Sequence, residues 1–545
     1  MALKRNTKTQ SRNPVAKAVF IFLGIILTIT IFLNLGLLLV LSQKPIADNI
    51  KWYIVQFLEE NTGRHIEIGS VAPDFLRRLV VEDLLIGPSD EEGVDSELKN
   101  NQEQFIKVDR ITIEYSLIKL LTSRGDYAKG LSKITLIKPE INLEFDEEQN
   151  SWNFSDMFVV NPQATSLQLP TNIPLVVKQG IVKFKGMPYM DDKQVFLSRK
   201  LNARAVIVED NQVDVSINGE YALPVTGWDY VVWPQEWLPE NKLHTAYYPV
   251  EGKLKLDLNS FDWQGQFYTR GVDPAEFNYW VLPSIGVNVL AGKVDAKTTV
   301  GMKSGYLEFA GEANLKGVQL TTYITPVPVT DISGTVTYND QGIDNWDLSM
   351  KLDNTPFKSQ GYTAGGWIDP RIYAEVTTSQ GDLKLLEGYL TPMVYNRYMA
   401  IVSGLDSPQA KETTKVLNMD FSWLEKFALQ GGFKGKATVS GYLSQLSFGG
   451  EAEIVNSTIS HPDIPVPLTM VNGLVDYKDG NISIASLDGN LSGGSFKIAG
   501  NIEDIFAIPY LNLKVDFNKV VLSPFSLAYS GLESTGEVSG KVSVG

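Results

Sequence analysis

The stretch TPVPVTDISGTVTYND, residues 325–340, returns later in the chain as IPVPLTMVNGLVDYKD, residues 464–479. The two prolines, the threonine, the glycine, the tyrosine and the final aspartate recur at one offset of 139 residues. These residues are typical of a Pro-bounded connection, a Gly bend and an alternating strand. They include no acid–base pair, ligand set or phosphate loop. The duplication therefore predicts a repeated piece of β-sheet and not a catalytic motif.

The similarity extends on both sides of this stretch. LEFAGEANLKGVQL, residues 307–320, parallels LSFGGEAEIVNSTI, residues 446–459, at the same offset, and the GKATVSG that begins at Gly435 resembles the GKVSVG that begins at Gly540. The repeat is a set of strands, longer and looser than the 20 to 50 residues of ordinary solenoids. Because the last residues still alternate as a strand, we expect the repetitive region to continue in a longer protein.

Period-two alternation dominates from about residue 64 onward, with apolar residues on one side and polar residues on the other. Sandwiches and barrels seldom extend over several hundred residues, whereas an open trough can grow strand by strand. We therefore predict a mainly β fold in which an N-terminal transmembrane helix precedes an elongated, curled antiparallel β-sheet, an open trough or β-taco, with a few helical insertions. At about 4.8 Å per strand, 25 to 30 strands would extend roughly 120 to 145 Å. The predicted groove-lining residues are Ile111, Ile113, Ile141, Leu143, Phe145, Val213, Val215, Ile217, Leu254, Leu256, Leu258, Val294, Leu348, Leu352, Leu511, Leu513 and Val515.

Residues 19–41, VFIFLGIILTITIFLNLGLLLVL, are the clearest targeting feature. No charged residue lies between Lys17 and Lys44, a run long enough to cross a hydrocarbon core of about 30 Å as a helix. No good cleavage site follows, so we predict an uncleaved anchor. Five cations and no acid precede it, which places the N-terminus in the cytoplasm and the bulk of the chain in the periplasm. The predicted anchor residues are Phe20, Ile21, Leu23, Ile26, Leu27, Leu33, Leu38 and Leu41.

The remaining patterns divide the chain into segments. An amphipathic helix is predicted at residues 45–62, with Ile46, Ile50, Tyr53, Ile54, Phe57 and Leu58 on one side, and we favour its packing on the next domain over its lying on a membrane. The predicted order is a basic tail at 1–18, the anchor at 19–41, this helix, an N-terminal β domain at 64–160, a trough at 161–381, a helical insertion at 382–430 and more trough at 431–545.

Composition excludes several classes of site. The chain has no cysteine, three scattered histidines and a net charge of −15. Disulfides and thiol catalysis are excluded, a metal site is not expected, and so acidic a chain would be repelled by nucleic acid. Neither GxxxxGK[ST] nor HExxH occurs. The acidic run SDEEGVDSEL, residues 89–98, lacks the calcium-loop pattern. We predict no enzyme and no cofactor.

Residues 105–158 carry a family resemblance. They resemble the opening domain of the AsmA-like superfamily, most closely the TamB family (the translocation and assembly module's inner-membrane subunit). The features that carry the resemblance are a strand, the short helical sequence SLIKLL, a strand pair around Pro139 and the closing WNF at residues 152–154. The resemblance covers most of the chain by pattern more than by identity. It implies an inner-membrane-anchored, periplasm-spanning trough related in architecture to bridge-like lipid-transfer proteins, with phospholipid as its ligand and a TamA/Omp85-like outer-membrane β-barrel protein as its partner.

Two functions therefore remain open at the level of sequence. The first is phospholipid transport along a hydrophobic groove in support of outer-membrane biogenesis. The alternative is an assembly factor or chaperone for outer-membrane β-barrel proteins, acting with a TamA-like partner and holding an extended segment by strand addition. An enzyme with paired carboxylates is a third class, but the acids mostly alternate with apolar residues on the solvent face of strands.

Overall fold

A computed structural model describes most of the chain after residue 44. The described residues are 45–74, 77–89, 105–122, 130–146, 151–153, 171–185, 196–208, 212–222, 246–257, 262–279, 287–303, 306–322, 327–367, 370–389, 426–442, 445–503 and 510–544. They divide into two compact units. The first holds the described residues up to Arg270 and Lys297–Phe309, and the second holds those of Gly271–Ala296 and from Ala310 onward. The described chain is mainly β, as the alternation predicts.

The first unit begins with a helix, α1 (Pro45–Thr62), followed by antiparallel strands and a second short helix, α2 (Leu117–Thr122). Its strands are β1 (Arg64–Asp74), β2 (Arg78–Ser89), β3 (Ile106–Tyr115), β4 (Leu131–Asp146), β5 (Ser151–Trp152), β6 (Pro174–Lys185), β7 (Phe196–Ile207), β8 (Gln212–Ala222), β9 (Tyr248–Asp257) and β10 (Trp263–Val272). From β1 to β4 and from β6 to β10 each strand pairs antiparallel with the next. β4 and β6 pair in parallel, because the chain returns through β5 before it starts β6.

The second unit is an open antiparallel sheet with three helical segments among its described residues. The strands that follow β10 are β11 (Val287–Lys303), β12 (Tyr306–Thr322), β13 (Val329–Asn339), β14 (Gly342–Leu352), β15 (Thr355–Ala364), β16 (Arg371–Asp382), β17 (Ala428–Tyr442), β18 (Gln445–Ser460), β19 (Leu468–Lys478), β20 (Asn481–Leu491), β21 (Gly494–Glu503), β22 (Tyr510–Val521) and β23 (Glu537–Val544). The end of β11 and the start of β12, within Lys297–Phe309, belong to the first unit, and the rest belong to the second. Short 3₁₀ segments lie at Pro274–Tyr279 and Leu383–Tyr389, and α3 spans Ser523–Ser530. From β12 to β23 every pairing joins sequence neighbours.

The sequence repeat corresponds to a structural module. β13 to β16 and β19 to β22 have bounds that differ throughout by 139 residues, and the segment at Leu383–Tyr389 is followed at nearly the same offset by α3. The register repeats as well: Leu315 pairs with Gly334 in the first copy, and Ile454 pairs with Gly473 in the second. The repeated unit is therefore a block of consecutive strands closed by a helical segment.

The repeated glycine of the opening stretch has a steric role. Gly334 and Gly473 have φ angles of 143° and 158°. A Cβ at these positions would lie 2.1 Å from the backbone oxygen of Asp347 and 1.9 Å from that of Ser486. Only glycine fits, because the next strand approaches too closely and the backbone conformation is one that other residues rarely adopt.

β-Bulges recur at equivalent positions and are held by side chains of the neighbouring strand. Gly317 (φ 57°) donates its backbone N–H to Ser333 Oγ at 3.0 Å, and Asn456 (φ 45°), 139 residues later, donates to Asn472 Oδ1 at 2.8 Å. In the first unit, Gln179 donates in the same way to Asn202 Oδ1 at 3.2 Å. Since a bulge bends its strand and increases local twist, these contacts set where each strand curves.

α1 packs on the sheet of the first unit. Ile54 and Leu58 lie in a core with residues of β1 to β4, and the Glu59 carboxylate accepts the backbone N–H of Ile66 at 3.1 Å. The predicted helix bounds match the structure, but the predicted face is wrong for Tyr53, which is 47% exposed. Tyr53 lies about 100° around the helix from Ile54, on the side away from the sheet. The side chains of Ile46, Ile50 and Phe57 lie outside the described set.

Several predicted segments fall outside the described residues. They include the basic tail, the whole 19–41 anchor, the acidic run after Ser89 and most of the helical insertion. Of the insertion, the structure describes the 3₁₀ segment at Leu383–Tyr389 and the start of β17. In the part of the chain that is described, no helix has the length and apolarity needed to cross a membrane.

Candidate functional site: the apolar face of the sheet

One face of the second unit's sheet carries apolar side chains in rows that cross the strands. The register joins residues of β14 to β22 into one row, and residues of β16 to β23 into another. The first row is Leu348, Ser359, Val376, Ala437, Gly450, Tyr477, Ile482, Ile502 and Leu511. The second is Gly381, Phe433, Ile454, Gly473, Leu487, Ile498, Val515 and Val542.

Most of these side chains are only half-buried. Leu513 and Val515 are half-buried, Leu511 is 38% exposed and Val542 is 49% exposed. Contiguous exposed apolar surfaces are typical of sites that bind an apolar ligand or partner.

Glycines let large rings lie flat on this face. The Trp346 indole lies over Gly361 on the adjacent strand, and the Phe433 ring lies against Gly381. In the first unit the Phe267 ring covers Gly252 in the same manner. Each ring occupies the space that a side chain on the neighbouring strand would need, so the face stays apolar where the strand itself contributes no side chain.

The opposite face is polar and carries cross-strand ion pairs. Lys351 and Asp331 lie 2.9 Å apart, and Lys436 and Glu375 lie 2.6 Å apart. The hydrogen bond to Glu375 raises the pKa of Lys436, because the carboxylate stabilises the ammonium form. These exposed pairs each contribute little stability, but they fix which face meets water.

The structure places the predicted residues of the first unit in two environments. Ile111, Ile113 and Val213 are buried in its core, and Leu143, Val215 and Leu256 pack against that core. Ile111, Ile113 and Val213 are therefore covered by other side chains, whereas Leu143, Val215 and Leu256 remain partly exposed. Ile141, Ile217 and Leu254 are half-buried. Phe145 pairs with Trp152 through the backbone, its side chain lies outside the described set, and Leu258 lies outside the described residues.

Most of the predicted groove residues of the second unit lie on one face of its sheet. Leu348, Leu352, Leu511, Leu513 and Val515 share the apolar face through the strand register, with Leu348 and Leu352 packed beside the cluster around Val318. Val294 is half-buried on β11. Sequence reasoning missed Trp346, Phe433 and the glycines beneath them. Trp346 could have been found, since it continues the alternation of Leu348 and Met350.

Clusters of side chains that could bind a metal ion or catalyse a reaction are few in the described part of the chain. No group of three or more His, Asp or Glu side chains is placed there to hold a metal ion. The pKa of Glu220 is lowered by hydrogen bonds from Lys200 and then Arg199, each at 2.9 Å, and this carboxylate belongs to surface ion pairs with those two cations.

Comparisons of the chain with protein-family models, with curated proteins and with solved structures found no match. The class of protein is therefore defined by the fold and the apolar face alone: a mainly β protein built from repeated antiparallel modules that expose one apolar surface.

Proposed function

We propose that this protein carries phospholipid acyl chains along the apolar face of its sheet. The observation that supports the proposal is the pair of rows that together cross β14 to β23. Most of their side chains are apolar, with Ser359 and three glycines among them. A row of this kind runs across the strands, so each added module lengthens the surface by the same increment. The duplicated module is the expected result of selection for length.

The energetics favour an acyl chain as the occupant. Burying each CH₂ group contributes about 0.8 kcal/mol, so exposing two acyl chains to water costs on the order of 20 kcal/mol. A surface of half-buried Leu, Ile, Val and Phe side chains removes much of that cost while a polar headgroup remains in water. No bond is made or broken in this process, and the function needs no catalytic residue.

The cellular setting is part of the proposal. The apolar segment at residues 19–41 would anchor the chain in an inner membrane, and the strands would reach across the periplasm toward an outer-membrane β-barrel protein of the TamA/Omp85 type. This arrangement follows from the resemblance to the AsmA-like superfamily and the TamB family, and it makes outer-membrane biogenesis the process served.

Two neighbouring residues of β22 provide a matched test. Val515 lies on the apolar face and the exposed Lys514 lies on the opposite face. We expect Val515→Asp to reduce the phospholipid that co-purifies with the full chain, measured by mass spectrometry, and to slow lipid supply to the outer membrane. Lys514→Asp, which also introduces a carboxylate on β22, should leave both unchanged. Equal lipid content in both variants and the wild type would contradict the proposal.

Photo-crosslinking separates the transport and chaperone functions. A photoreactive residue at Leu513 should capture lipid if the face carries acyl chains, whereas the same probe at Lys514 should not. Capture of polypeptide alone at Leu513 would instead support an assembly factor that holds an extended segment of another protein.

A further inference from the structure

The first unit has an open cavity whose lining includes charged, polar and apolar residues. It has a volume of about 610 Å³ and lies across β7 to β10. Its apolar lining residues are Val206, Val215 and Leu254. Its charged and amide-bearing lining residues are Arg204, Asp214, Lys253, Lys255, Gln264 and Gln266. The proposed lipid-carrying face uses none of them.

The strand register brings the cations to one place. Ser216 pairs with both Arg204 on β7 and Lys253 on β9, so Arg204 and Lys253 lie in one cross-strand line, two strand spacings or about 10 Å apart. Lys253 and Lys255 are two residues apart on one strand and point to the same face, about 7 Å from each other. The long side chains of all three can therefore reach a single ligand placed between them.

The cations of this cavity differ from other cations of the same unit in their ion pairing. Lys183 is 2.6 Å from Glu140, and Lys200 is 2.9 Å from Glu220. Within the described ranges, no carboxylate lies within 4.0 Å of Arg204, Lys253 or Lys255 in an ion pair, although Asp214 lines the same cavity. A chain with a net charge of −15 thus keeps a local excess of positive charge in a concave surface. Concave surfaces focus the field of such charges and attract an anion.

We propose that this cavity binds a phosphate-bearing anion. The guanidinium of Arg204 matches two phosphate oxygens, and the ammonium groups of Lys253 and Lys255 act as point charges for the remaining oxygens. The amides of Gln264 and Gln266 add neutral donors on the strand beyond. The phosphate belongs either to a lipid headgroup or to a free phosphate ion. Because the cavity lies across β7 to β10, this site is separate from the proposed acyl-chain surface on β14 to β23, and its existence does not depend on the proposed function.

The test uses the full chain in detergent, with inorganic phosphate and short-chain dihexanoyl phosphatidylglycerol as separate probes and calorimetry as the measurement. We expect Lys253→Gln combined with Lys255→Gln to weaken binding at least tenfold. The control is Lys107→Gln combined with Lys178→Gln, since both lysines are exposed on the same unit and lie outside this cavity.

The outcomes separate the two sources. If both probes bind and only the cavity variant weakens their binding, the site recognises the phosphate group itself. Binding of the lipid probe alone with the same dependence supports a headgroup site. No binding of either probe, or equal loss in both double variants, overturns the proposal. Lipid co-purification in the Val515→Asp experiment would be unaffected by that result, so the two proposals fail independently.

Discussion

The indole of Trp346 lies over Gly361 on the adjacent strand, so close that a Cβ at position 361 would be 2.3 Å from the ring. The two residues are direct cross-strand partners, and the indole Nε1–H donates to Ser359 Oγ at 3.0 Å. The ring is thus held by a hydrogen bond in the space that the glycine leaves open. Similar pairs of a ring and a glycine shape the apolar face elsewhere, which makes the glycines as important to that surface as the rings.

The Trp346–Gly361 contact predicts that Gly361→Ala is destabilising. The added methyl group would meet the ring and also the backbone oxygen of Tyr373, again at 2.3 Å. Overpacking of this kind typically costs about 1–3 kcal/mol, so the melting temperature should fall. Gly432→Ala is the matched control on β17, because its nearest atom lies at 3.7 Å. An equal decrease in both variants would show that loss of a glycine, and not the ring contact, is responsible.

The bulge at Asn456 predicts a local effect of Asn472→Ala. Asn472 accepts the backbone N–H of Asn456 at 2.8 Å and donates to the backbone oxygen of Met470 at 2.8 Å. Removing both hydrogen bonds should cost about 1–2 kcal/mol and speed hydrogen exchange at the Asn456 amide. Asn501→Ala, an exposed change on β21, should leave that amide's exchange unchanged. Unaltered exchange in the Asn472 variant would mean that the side chain does not hold the bulge.

The stability of the first unit should depend strongly on Ile113, which lies in its core. This side chain is 1% exposed, so Ile113→Ala should cost about 2–5 kcal/mol and lower the urea midpoint measured by far-UV circular dichroism. The half-buried Ile217 on β8 provides the comparison, and Ile217→Ala should lower the midpoint less. The reverse order would indicate that the buried core is not centred on β3.

The ion pairs of Glu220 predict a pH dependence. Hydrogen bonds from Lys200 and Arg199 lower the pKa of Glu220 below its ordinary value of 4.5. A lowered folded-state pKa contributes stability that is present above pH 4.5 and is lost as the pH falls through the folded value. Melting temperatures of the wild type and of Glu220→Gln should therefore differ above pH 4.5 and converge in acid. Because the pair is exposed, the difference should be small and should shrink further in salt. Parallel curves throughout would contradict this assignment.

The antiparallel strands were predictable from sequence because alternation has the same period as the pleat. RITIEY and LNLKVDF each place apolar residues two apart, and both lie in strands. The repeat was predictable for a similar reason: an identical sterically required glycine at 334 and 473 is visible in the sequence. The buried face of α1 was harder to predict from sequence, because Tyr53 and Ile54 are both apolar enough to be buried. Only the packing of the helix on β1 determines that Ile54 is the buried one.

The strand pattern, the repeated module and the apolar side of most strands depend on residues close together in the chain, so all three could be predicted from sequence. Which apolar residues form a core and which stay partly exposed depends on tertiary packing. Ile113 and Leu513 have the same alternating context, yet the first is buried among residues of α1, β1 and β2 and the second remains half-exposed. Burial depends on what packs over a strand, and that element lies elsewhere in the chain. The cations Arg204, Lys253 and Lys255 were likewise ordinary exposed residues in sequence, and only strand pairing brought them to one cavity.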